Sequence, residues 1–492
     1  MKSNSLEWFT KNLSNGKKQS YFYKMAKKFI SEQYNNLEVV DITARGKGVV
    51  KSEEGKVIFV SGVVPGDIIN VETYKKRRGY FEANLIEILE PSPNRIEAEC
   101  EHFGVCGGCK WQNMSYEAQL KFKQKEVLHN IKNLSGMSIP EIDDIQAAPQ
   151  PYFYRNKMEY TFSNQRWLTA DEIANKSLTI EKRGLGFHKA GMWDKVVDIS
   201  QCHLQAEPAN EIRNAVKAFA LEHQLDFFNP RDQKGFLRSL MIRNTKRGSF
   251  MVLIQFFREN KAKRECLLDH LKKHFNIASL LYCINSKAND SLYDQEIICY
   301  DGENHIIEEM EGLKFKINAK SFFQTNSEQA YELYKIARNF AGLKGDELVY
   351  DLYTGTGTIA QFIAKDCKKV VGVESVPEAV EVAQINAEEN GIKNAFFEVG
   401  DMRDIFNQDF INRHGKAEVV ITDPPRNGMH PAVVKQLILL APKRIVYVSC
   451  NHATQARDLF LMKDQYKLIR SRAIDMFPQT QHVENIVLLE KI

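Results

Sequence analysis

Three short segments near the end of the chain carry residue types that could do covalent chemistry beside a bound nucleoside. Cys450 ends one apolar, strand-like run, and Asp423-Pro-Pro-Arg426 ends another. Earlier, the run Val349-Tyr-Asp-Leu352 leads into a Gly-rich stretch at 353–358. Ligands of open parallel α/β sheets bind where the carboxyl ends of the strands meet, so these segments are expected to share one crevice. This combination predicts a nucleophilic cysteine facing a nucleoside cofactor.

The Gly-rich stretch is the first element of the predicted cofactor site. The turn Gly355-Thr-Gly-Thr-Ile-Ala360 matches the G-x-G-x-x-A pattern, which fits either a dinucleotide or S-adenosylmethionine. Glu374 ends the next strand-like run, where its carboxylate could accept hydrogen bonds from ribose hydroxyls. Asp401 ends the run after that and could contact an adenine. Each acid could instead simply cap the helix that follows it.

The proline loop and the cysteine are more specific. Two consecutive prolines fix φ, so the loop at Asp423 is stiff and can hold a polar group against a planar substrate. Such loops recur in nucleobase methyltransferases; the alternative is a plain turn. Cys450 ends a strand beside Asn451, which favours a reactive thiol over the usual core burial of a lone cysteine. Glu484 and His482 are candidate proton acceptors just before the last strand.

A second constellation of cysteines predicts metal binding. Cys100, Cys106 and Cys109 form a C-x5-C-x2-C pattern with glycines between them, which let a tight loop wrap around an ion or a cluster. Three thiolates need a fourth ligand. Cys202 is the preferred candidate, with His102 and His203 as alternatives. The spacing fits zinc and iron–sulfur equally, and the opposing interpretation is a set of unrelated thiols.

The length of 492 residues is too great for one core and predicts two to four domains. Short alternating runs with glycine turns predict a small β-barrel at 37–95. A helix is expected at 113–134, within a mixed α/β region at 96–315. The alternation of strands and helices at 316–492 predicts βαβ architecture. A basic extension, 1–36, precedes all of these.

The net charge of +4 does not identify a partner, but its distribution is informative. The lysines of residues 1–36 form either a solvated tail or an arm that contacts nucleic acid phosphates. In Tyr74-Lys-Lys-Arg-Arg-Gly-Tyr-Phe81 the basic residues could bind phosphates and the aromatic faces could stack on bases. The alternative for this segment is an ordinary charged hairpin tip.

Membrane and secretion signals are not found in the sequence. It contains no run of about 18 apolar residues and no apolar signal-peptide core, so we expect a cytoplasmic protein that does not bind membranes. Nine unevenly spaced cysteines argue against a disulfide framework.

Taken in order, these motifs resemble the RNA uracil-C5 methyltransferase family, and in particular its members that act on 23S ribosomal RNA. The similarity covers residues 37–492 and includes the barrel and the cysteines. The other matching motifs are Tyr154-Arg-Asn-Lys-Met-Glu159, Leu185-Gly-Phe-His188, Gly235-Phe-Leu-Arg238, Ser321-Phe-Phe-Gln324, Asp351-Leu-Tyr-Thr-Gly-Thr-Gly357, Asp423-Pro-Pro-Arg426, Ser449-Cys-Asn451 and His482-Val-Glu484. Residues 1–36 have no clear counterpart, and Tyr353, Thr354 and Thr358 differ from the residues often found around the Gly-rich turn.

The resemblance implies an α/β protein with three folded parts. These are an N-terminal TRAM/OB-like β-barrel, a mixed α/β central domain carrying a [4Fe–4S] cluster, and a C-terminal class I, Rossmann-like methyltransferase domain. It implies S-adenosylmethionine as cofactor, RNA as partner, with 23S rRNA favoured, and a monomer. The implied cluster ligands are Cys100, Cys106, Cys109 and Cys202. The implied cofactor contacts are Gln324, Tyr353, Glu374, Asp401 and Asp423.

The expected mechanism is covalent catalysis at a flipped-out uracil. The Cys450 thiolate adds to C6, which makes C5 nucleophilic enough to take the methyl group. Glu484 then removes the C5 proton, and the thiolate leaves. A tRNA uridine-C5 methyltransferase is the first alternative. An NAD-dependent oxidoreductase using Gly355 and Glu374 would not explain the proline loop, the cysteine or the barrel. A non-catalytic RNA-binding iron–sulfur protein would leave Cys450 without a role.

Overall fold

The computed structural model describes residues 30–139, 142–175 and 179–492. The lysines of the predicted basic extension, at positions 2 to 28, lie outside these residues. In the described part of the chain, no helix is both long enough and apolar enough to cross a bilayer.

Five strands close into a small barrel at the start of the described chain. They are β1 (Gln33–Ile42), β2 (Gly48–Lys51), β3 (Val57–Val60), β4 (Ile68–Lys76) and β5 (Phe81–Glu90). Around the barrel their order is β1-β2-β3-β5-β4. Apolar residues alternate along the strands, so that Val39, Ile58 and Ile69 face one interior. The barrel fits the predicted TRAM/OB-like domain, although β1 begins inside the predicted extension.

One long helix leads from the barrel into the rest of the molecule. It is α1 (Tyr116–Leu134), and the side chain of Ser115 caps it by accepting a hydrogen bond from the Ala118 amide. This cap explains why the helix begins later than the predicted start at 113. The strand β6 (Asp143–Gln146) comes next in the sequence.

A seven-stranded mixed sheet forms the middle of the molecule. Its strands are β7 (Lys157–Ser163), β8 (Gly184–His188), β9 (Val196–Asp198), β10 (Leu237–Asn244), β11 (Phe250–Phe256), β12 (Ser279–Ile284) and β13 (Ile298–Gly302). Its helices are α2 (Ala170–Ala174), α3 (Ala209–Glu222) and α4 (Lys261–His274). The strand order is β13-β12-β11-β10-β7-β8-β9. Val252 packs in the core with α3 and α4, whereas Leu253 packs in the core of the C-terminal region. Burial of both faces explains why this region shows no clear hydrophobic alternation.

A hairpin and an eight-stranded sheet complete the chain. The hairpin strands are β14 (His305–Met310) and β15 (Leu313–Asn318). The sheet strands are β16 (Leu348–Leu352), β17 (Lys369–Glu374), β18 (Ala395–Val399), β19 (Val419–Thr422), β20 (Arg444–Ser449), β21 (Tyr466–Ile474) and β22 (Glu484–Lys491), joined by β6. The helices are α5 (Ser327–Ala341), α6 (Thr358–Ile363), α7 (Pro377–Glu389), α8 (Met402–Ile405), α9 (Gln408–His414), α10 (Pro431–Leu440) and α11 (His452–Met462).

The strand order of this sheet explains where the site lies. The order is β18-β17-β16-β19-β20-β22-β21-β6, with parallel pairing from β18 to β20. The order reverses between β16 and β19, and ligands bind at such a reversal, at the carboxyl ends of the strands. β22 runs antiparallel to β20 and β21, so its amino end reaches the same edge. The α/β architecture predicted for the C-terminal part is thereby confirmed.

Candidate functional site

One cleft, at the carboxyl ends of the C-terminal strands, contains every residue predicted to bind the cofactor or act in catalysis. Its volume is about 1950 Å³. Arg155 of the central region and Phe322 also line it. The predicted residues in its wall are Gln324, Tyr353, Glu374, Asp401, Asp423, Cys450 and Glu484. Sequence motifs that are far apart in the chain therefore meet at one site.

The turn between β16 and α6 forms the floor of the cleft, and its backbone requires glycine. Gly357 has a φ of +74°, and a Cβ at this position would lie 2.7 Å from the Phe397 ring. Asp351 holds the turn from beneath, because its carboxylate accepts hydrogen bonds from the Thr354 hydroxyl and, at 3.0 Å, from the Ala360 amide. Burial raises the pKa of Asp351 to about 7.

Tyr353 enters this turn in a conformation that is unusual for an aromatic residue. Its φ is +65°, in the left-handed region. A non-glycine residue keeps such a conformation only where its surroundings impose it, and such residues cluster at ligand sites. Burial, followed by the charge of Asp401, raises the pKa of the Tyr353 hydroxyl to about 12.

The two acids at the ends of β17 and β18 differ in their partners. One oxygen of Glu374 accepts a hydrogen bond from the Gly355 amide at 3.1 Å, and the other accepts one from the Ser375 amide at 2.7 Å. Glu374 therefore braces the Gly-rich turn. Asp401 caps α8 and is bound by Arg403, whose hydrogen bonds lower the pKa of this exposed carboxylate to about 2. The capping role considered for Asp401 is thus present in the structure.

Helix α11 holds the Asp-Pro-Pro-Arg loop from one side. The Arg426 carbonyl accepts hydrogen bonds from the Asn451 amide group at 2.9 Å and the Thr454 hydroxyl at 3.2 Å. Two residues later, a Cβ on Gly428 would lie 2.6 Å from Asp458 Oδ2. Asp458 also accepts a hydrogen bond from the Met429 amide at 2.8 Å. The helix that follows Cys450 thus sets the position of the loop.

Cys450 and Glu484 face each other across the end of a strand pair. Ser449 of β20 pairs with Asn485 of β22, so Cys450 and Glu484 occupy the next position on their respective strands. Burial, followed by the charges of Glu484 and Asp423, raises the pKa of the half-buried Cys450 thiol to about 11. The positive charge of Arg426 opposes this shift.

The two carboxyl groups near Cys450, those of Glu484 and Asp423, have pKa values near neutrality. Burial, followed by the charge of Asp423, raises the pKa of Glu484 to about 8. Burial, followed by the charge of Asp351, raises the pKa of Asp423 to about 7. By contrast, burial lowers the pKa of His482 to about 4, so this ring is neutral at pH 7. Groups with pKa values near the working pH are suited to proton transfer.

Sequence reasoning missed three contributors to the site. Asp351 stood out only as part of a motif, although its position at a strand end was a usable signal. The Arg426 side chain was treated as part of a rigid loop, although its positive charge opposes the rise in the pKa of the thiol. Asp458 gave no signal, because a single acid within an amphipathic helix pattern is ordinarily solvated, whereas here it is fully buried.

The four predicted metal-binding cysteines lie close to one another. Burial raises the pKa of the Cys109 thiol to about 12, and Cys202, Cys106 and Cys100 add to this shift. Burial likewise raises the pKa of Cys202 to about 11, and Cys106 and Cys100 contribute to it. Backbone amides point toward the sulfurs, such as that of Gly108 at 3.5 Å from Cys106 Sγ. Amides directed at sulfur are typical of thiolates that hold a cluster, and this donor chemistry is the feature that the four cysteines share with such sites.

The two alternative ligands are engaged elsewhere. His102 Nε2 accepts a hydrogen bond from the Ser200 amide at 3.0 Å. The His203 ring packs edge-on against Tyr152 and Phe153, with ring centroids 6.4 and 6.2 Å apart. Across the described ranges, no three histidine, cysteine or acidic side chains are arranged to hold a single metal ion.

Comparison with known proteins agrees with this architecture. The tRNA (Uracil-5-)-methyltransferase family profile matches residues 300–492. An uncharacterized RNA methyltransferase of Porphyromonas gingivalis is 50% identical over 92% of this chain and 99% of its own. Another, from Chlorobaculum tepidum, is 37% identical over 92% of this chain and 96% of its own.

A solved structure extends the likeness to three dimensions. The crystal structure of Pyrococcus abyssi tRNA (uracil-54, C5)-methyltransferase, in complex with S-adenosyl-L-homocysteine, superposes with a TM-score of 0.73 at 29% identity. The match covers 93% of this chain and 100% of that one. These similarities confirm the resemblance inferred from the motifs. The chain belongs to the S-adenosylmethionine-dependent RNA uracil-C5 methyltransferase family.

Proposed function

We propose that this protein transfers a methyl group from S-adenosylmethionine to C5 of a specific uridine in RNA, through a covalent adduct between Cys450 and C6 of the base. The observation that supports this most strongly is the position of Cys450 and Glu484, each next to one member of the pair of Ser449 and Asn485 that ends the β20–β22 register. A nucleophile and a base on neighbouring strands can reach adjacent atoms of one pyrimidine ring. The stiff Asp423 loop beside them can orient that ring.

Each catalytic group has one task in this proposal. Cys450 reacts as the thiolate, which the positive charge of Arg426 favours. A new S–C6 bond gives C5 the electron pair with which it takes the methyl group. Glu484 then accepts the C5 proton, and the electrons of that C–H bond restore the ring double bond as the S–C6 bond breaks. Glu484 acts in its ionised form, which the positive charge of Arg426 favours by opposing the rise in the carboxyl pKa.

The remaining predicted residues would bind the cofactor. Glu374 and Asp401 end adjacent strands and present carboxylates suited to ribose hydroxyls and an adenine amine. Tyr353, Gln324 and Asp423 line the same cleft between these acids and the catalytic pair. An S-adenosyl-L-homocysteine complex is the form in which the Pyrococcus abyssi enzyme was crystallised, which supports the assignment of this cofactor.

Cys100, Cys106, Cys109 and Cys202 would hold a [4Fe–4S] cluster. Their mutual proximity, their burial and the amides directed at sulfur support this assignment. When bound, such a cluster cross-links the loop before α1 to the segment after β9. The uracil chemistry does not need it.

Two RNA classes are candidate substrates. We favour 23S rRNA from the motif resemblance. The second candidate is tRNA, because the matched Pyrococcus abyssi enzyme acts on tRNA and its likeness covers nearly the whole chain. Mapping 5-methyluridine by mass spectrometry in rRNA and tRNA from a deletion strain would separate the two.

A direct assay tests the reaction itself. The purified protein is incubated with RNA and methyl-labelled S-adenosylmethionine, and calorimetry compares its binding of that cofactor with its binding of NAD. We expect 5-methyluridine and binding of S-adenosylmethionine alone. Binding of NAD without methyl transfer would favour the oxidoreductase instead.

A further inference from the structure

We propose that Gln119 of α1 is a positioning residue for Glu484, acting through the segment of residues 475–483 that leads into it. This segment, called the base segment below, connects β21 to β22. The inference deepens the proposed function and rests on it. It assigns a task in proton removal to a residue that lies outside the cleft.

The base segment is irregular but buried, so its polar groups need partners inside the protein. Asp475, Gln479 and Thr480 are at most 8% exposed. Gln479 has a φ of +67°, a left-handed conformation that its surroundings must impose. Phe477, Thr480 and His482 line the cleft together with Glu484. Any shift of this segment therefore moves the wall that carries the base.

The partners come from a distant part of the chain. The Gln479 carbonyl accepts hydrogen bonds from the backbone amides of Lys110 at 2.9 Å and Trp111 at 3.1 Å. These two residues directly follow Cys109. The chain around the cysteines is thus bonded to the base segment.

Gln119 makes the most specific of these contacts. Its side-chain amide donates to Gln479 Oε1 at 3.0 Å, and its carbonyl oxygen accepts from the Gln479 backbone amide at 3.0 Å. Gln119 is fully buried and does not line the cleft. A reciprocal pair of this kind fixes both the side chain and the backbone of its partner. It therefore supports the left-handed conformation of Gln479.

One turn farther along α1, Lys123 secures the start of the segment. Its ammonium donates to Asp475 Oδ1 at 2.6 Å and to the Phe477 carbonyl at 3.1 Å. Both charged side chains are fully buried. Removing either partner would leave a buried charge unpaired and endanger folding, so this pair is unsuitable for a test. Gln119 is neutral and offers a milder change.

The test separates positioning from general support. Gln119→Leu keeps the approximate volume of the side chain but removes both bonds to Gln479. It also removes the bonds that the same amide donates to the Trp111 carbonyl at 3.1 Å and the Met114 carbonyl at 2.9 Å. We expect its methyl-transfer rate in a single turnover to stay within about twofold of wild type. Adduct breakdown should slow at least tenfold, because the C5 proton no longer faces Glu484. The covalent protein–RNA adduct should therefore accumulate on unmodified RNA.

The matched control is Gln124→Leu, on the same helix. Gln124 bonds β6 instead, accepting from the Ile145 amide at 3.2 Å and donating to the Asp143 carbonyl at 3.5 Å. The Gln124→Leu variant should transfer the methyl group and break down the adduct at wild-type rates. Hydrogen exchange of residues 475–483 in the protein without RNA should quicken in Gln119→Leu and not in Gln124→Leu. If Gln119→Leu folds poorly, Gln479→Asn tests the same contact, because asparagine tolerates positive φ and its side chain is shorter.

The outcomes distinguish this inference from the proposed function. Wild-type protein that forms no adduct with 5-fluorouridine RNA would overturn the proposed function itself. If that adduct forms, but Gln119→Leu breaks down its intermediate at the wild-type rate, the positioning role is wrong. It is also wrong if methyl transfer and breakdown slow by the same factor, since that result indicates only general support.

Discussion

The two catalytic sides of the cleft are held in place differently. On the nucleophile side, Cys450 lies between Ser449 and Asn451, and the Asn451 backbone amide donates a hydrogen bond to the Ser449 hydroxyl at 3.1 Å. Asn451 also caps α11 by accepting a hydrogen bond from the Ala453 amide at 3.2 Å. On the base side, Glu484 follows a segment whose partner Gln119 lies 360 residues away in the sequence. Helix α1 contacts both sides, since Asn130 also bonds the His452 ring at 2.7 Å. Cys450, however, follows a regular strand next to a helix cap, whereas the irregular base segment needs that helix as a partner for its buried polar groups. The nucleophile should therefore tolerate distant changes that disable the base.

The largest expected effect tests the nucleophile alone. Cys450→Ala should reduce methylation by about 10⁴-fold or more, because no other described side chain in the cleft offers a thiolate for C6. It should form no adduct with 5-fluorouridine RNA, and denaturing gels would show this. Activity retained by Cys450→Ala would show that the nucleophile is another group.

The second prediction concerns the base. Glu484→Gln should still form the adduct and transfer the methyl group, because neither step needs a carboxylate at this position. Turnover should fall by about 10²–10⁴-fold, the usual contribution of a general base. A denaturation-resistant adduct should accumulate with S-adenosylmethionine and be absent when Cys450→Ala is added. Normal turnover by Glu484→Gln would make His482 or a water the better candidate.

The third prediction concerns the effect of the four predicted metal-binding cysteines on the base segment. Cys202→Ala should lose most of the iron and the broad absorbance near about 400 nm of the anaerobically purified protein. The loop that ends at Trp111 should loosen, so hydrogen exchange should rise more in residues 475–483 than at the start of α11. Cys266→Ala, at an exposed cysteine, is the control. Full iron retention would assign the fourth ligand elsewhere.

The fourth prediction concerns a surface remote from both sides. Lys75, Lys76, Arg77 and Arg78 run from the end of β4 into the turn before β5. Within the described residues, Arg77 is the one of the four that forms an ion pair, with Glu82 at 3.2 Å. Neutralising all four should weaken RNA binding. The slope of the logarithm of the binding constant against the logarithm of the salt concentration should shrink by up to about 3, because each phosphate that is no longer neutralised removes about 0.7. The single-turnover rate at saturating RNA should not change. An unchanged slope would place the RNA path elsewhere.

The smallest expected effect is a difference between the two sides in how they make the free energy of unfolding depend on pH. The pKa of Glu484 is about 8 in the folded protein and about 4.3 when unfolded. The folded chain therefore holds this proton more tightly, and the free energy of unfolding should fall as the pH rises between these values. Glu484→Gln should remove that component, so its stability relative to wild type should increase from pH 5 to pH 8 in urea titrations.

The matched variant on the nucleophile side is Cys450→Ser. The Cys450 thiol, with a pKa of about 11, stays protonated throughout this pH range. The difference in the free energy of unfolding between Cys450→Ser and wild type should therefore stay constant with pH. If the free energies of unfolding of Glu484→Gln and wild type changed in parallel with pH, the raised pKa of Glu484 would be refuted.

The same contrast explains how much could be predicted from sequence. The cleft residues were predictable because each follows an apolar strand, and parallel strands deliver their ends to one edge. The family was predictable from the order of the motifs. The bonds of Gln119 and the burial of Asp458 were not, because a polar residue in a helix pattern does not reveal which distant segment it will contact. The pairing of β6 was hidden for the same reason, since four residues specify no partner.

The strand β6 has a consequence for how this protein can be divided. It lies beside β21 at the margin of the C-terminal sheet, pairing Gln146 with Ile474. A fragment beginning at residue 316 would contain every residue proposed for the chemistry, yet it would leave β21 with unpaired backbone groups that invite aggregation. Because β6 is synthesised long before β21, the margin strand is already available when the sheet emerges from the ribosome. The catalytic region is therefore complete as a folding unit only together with the early chain.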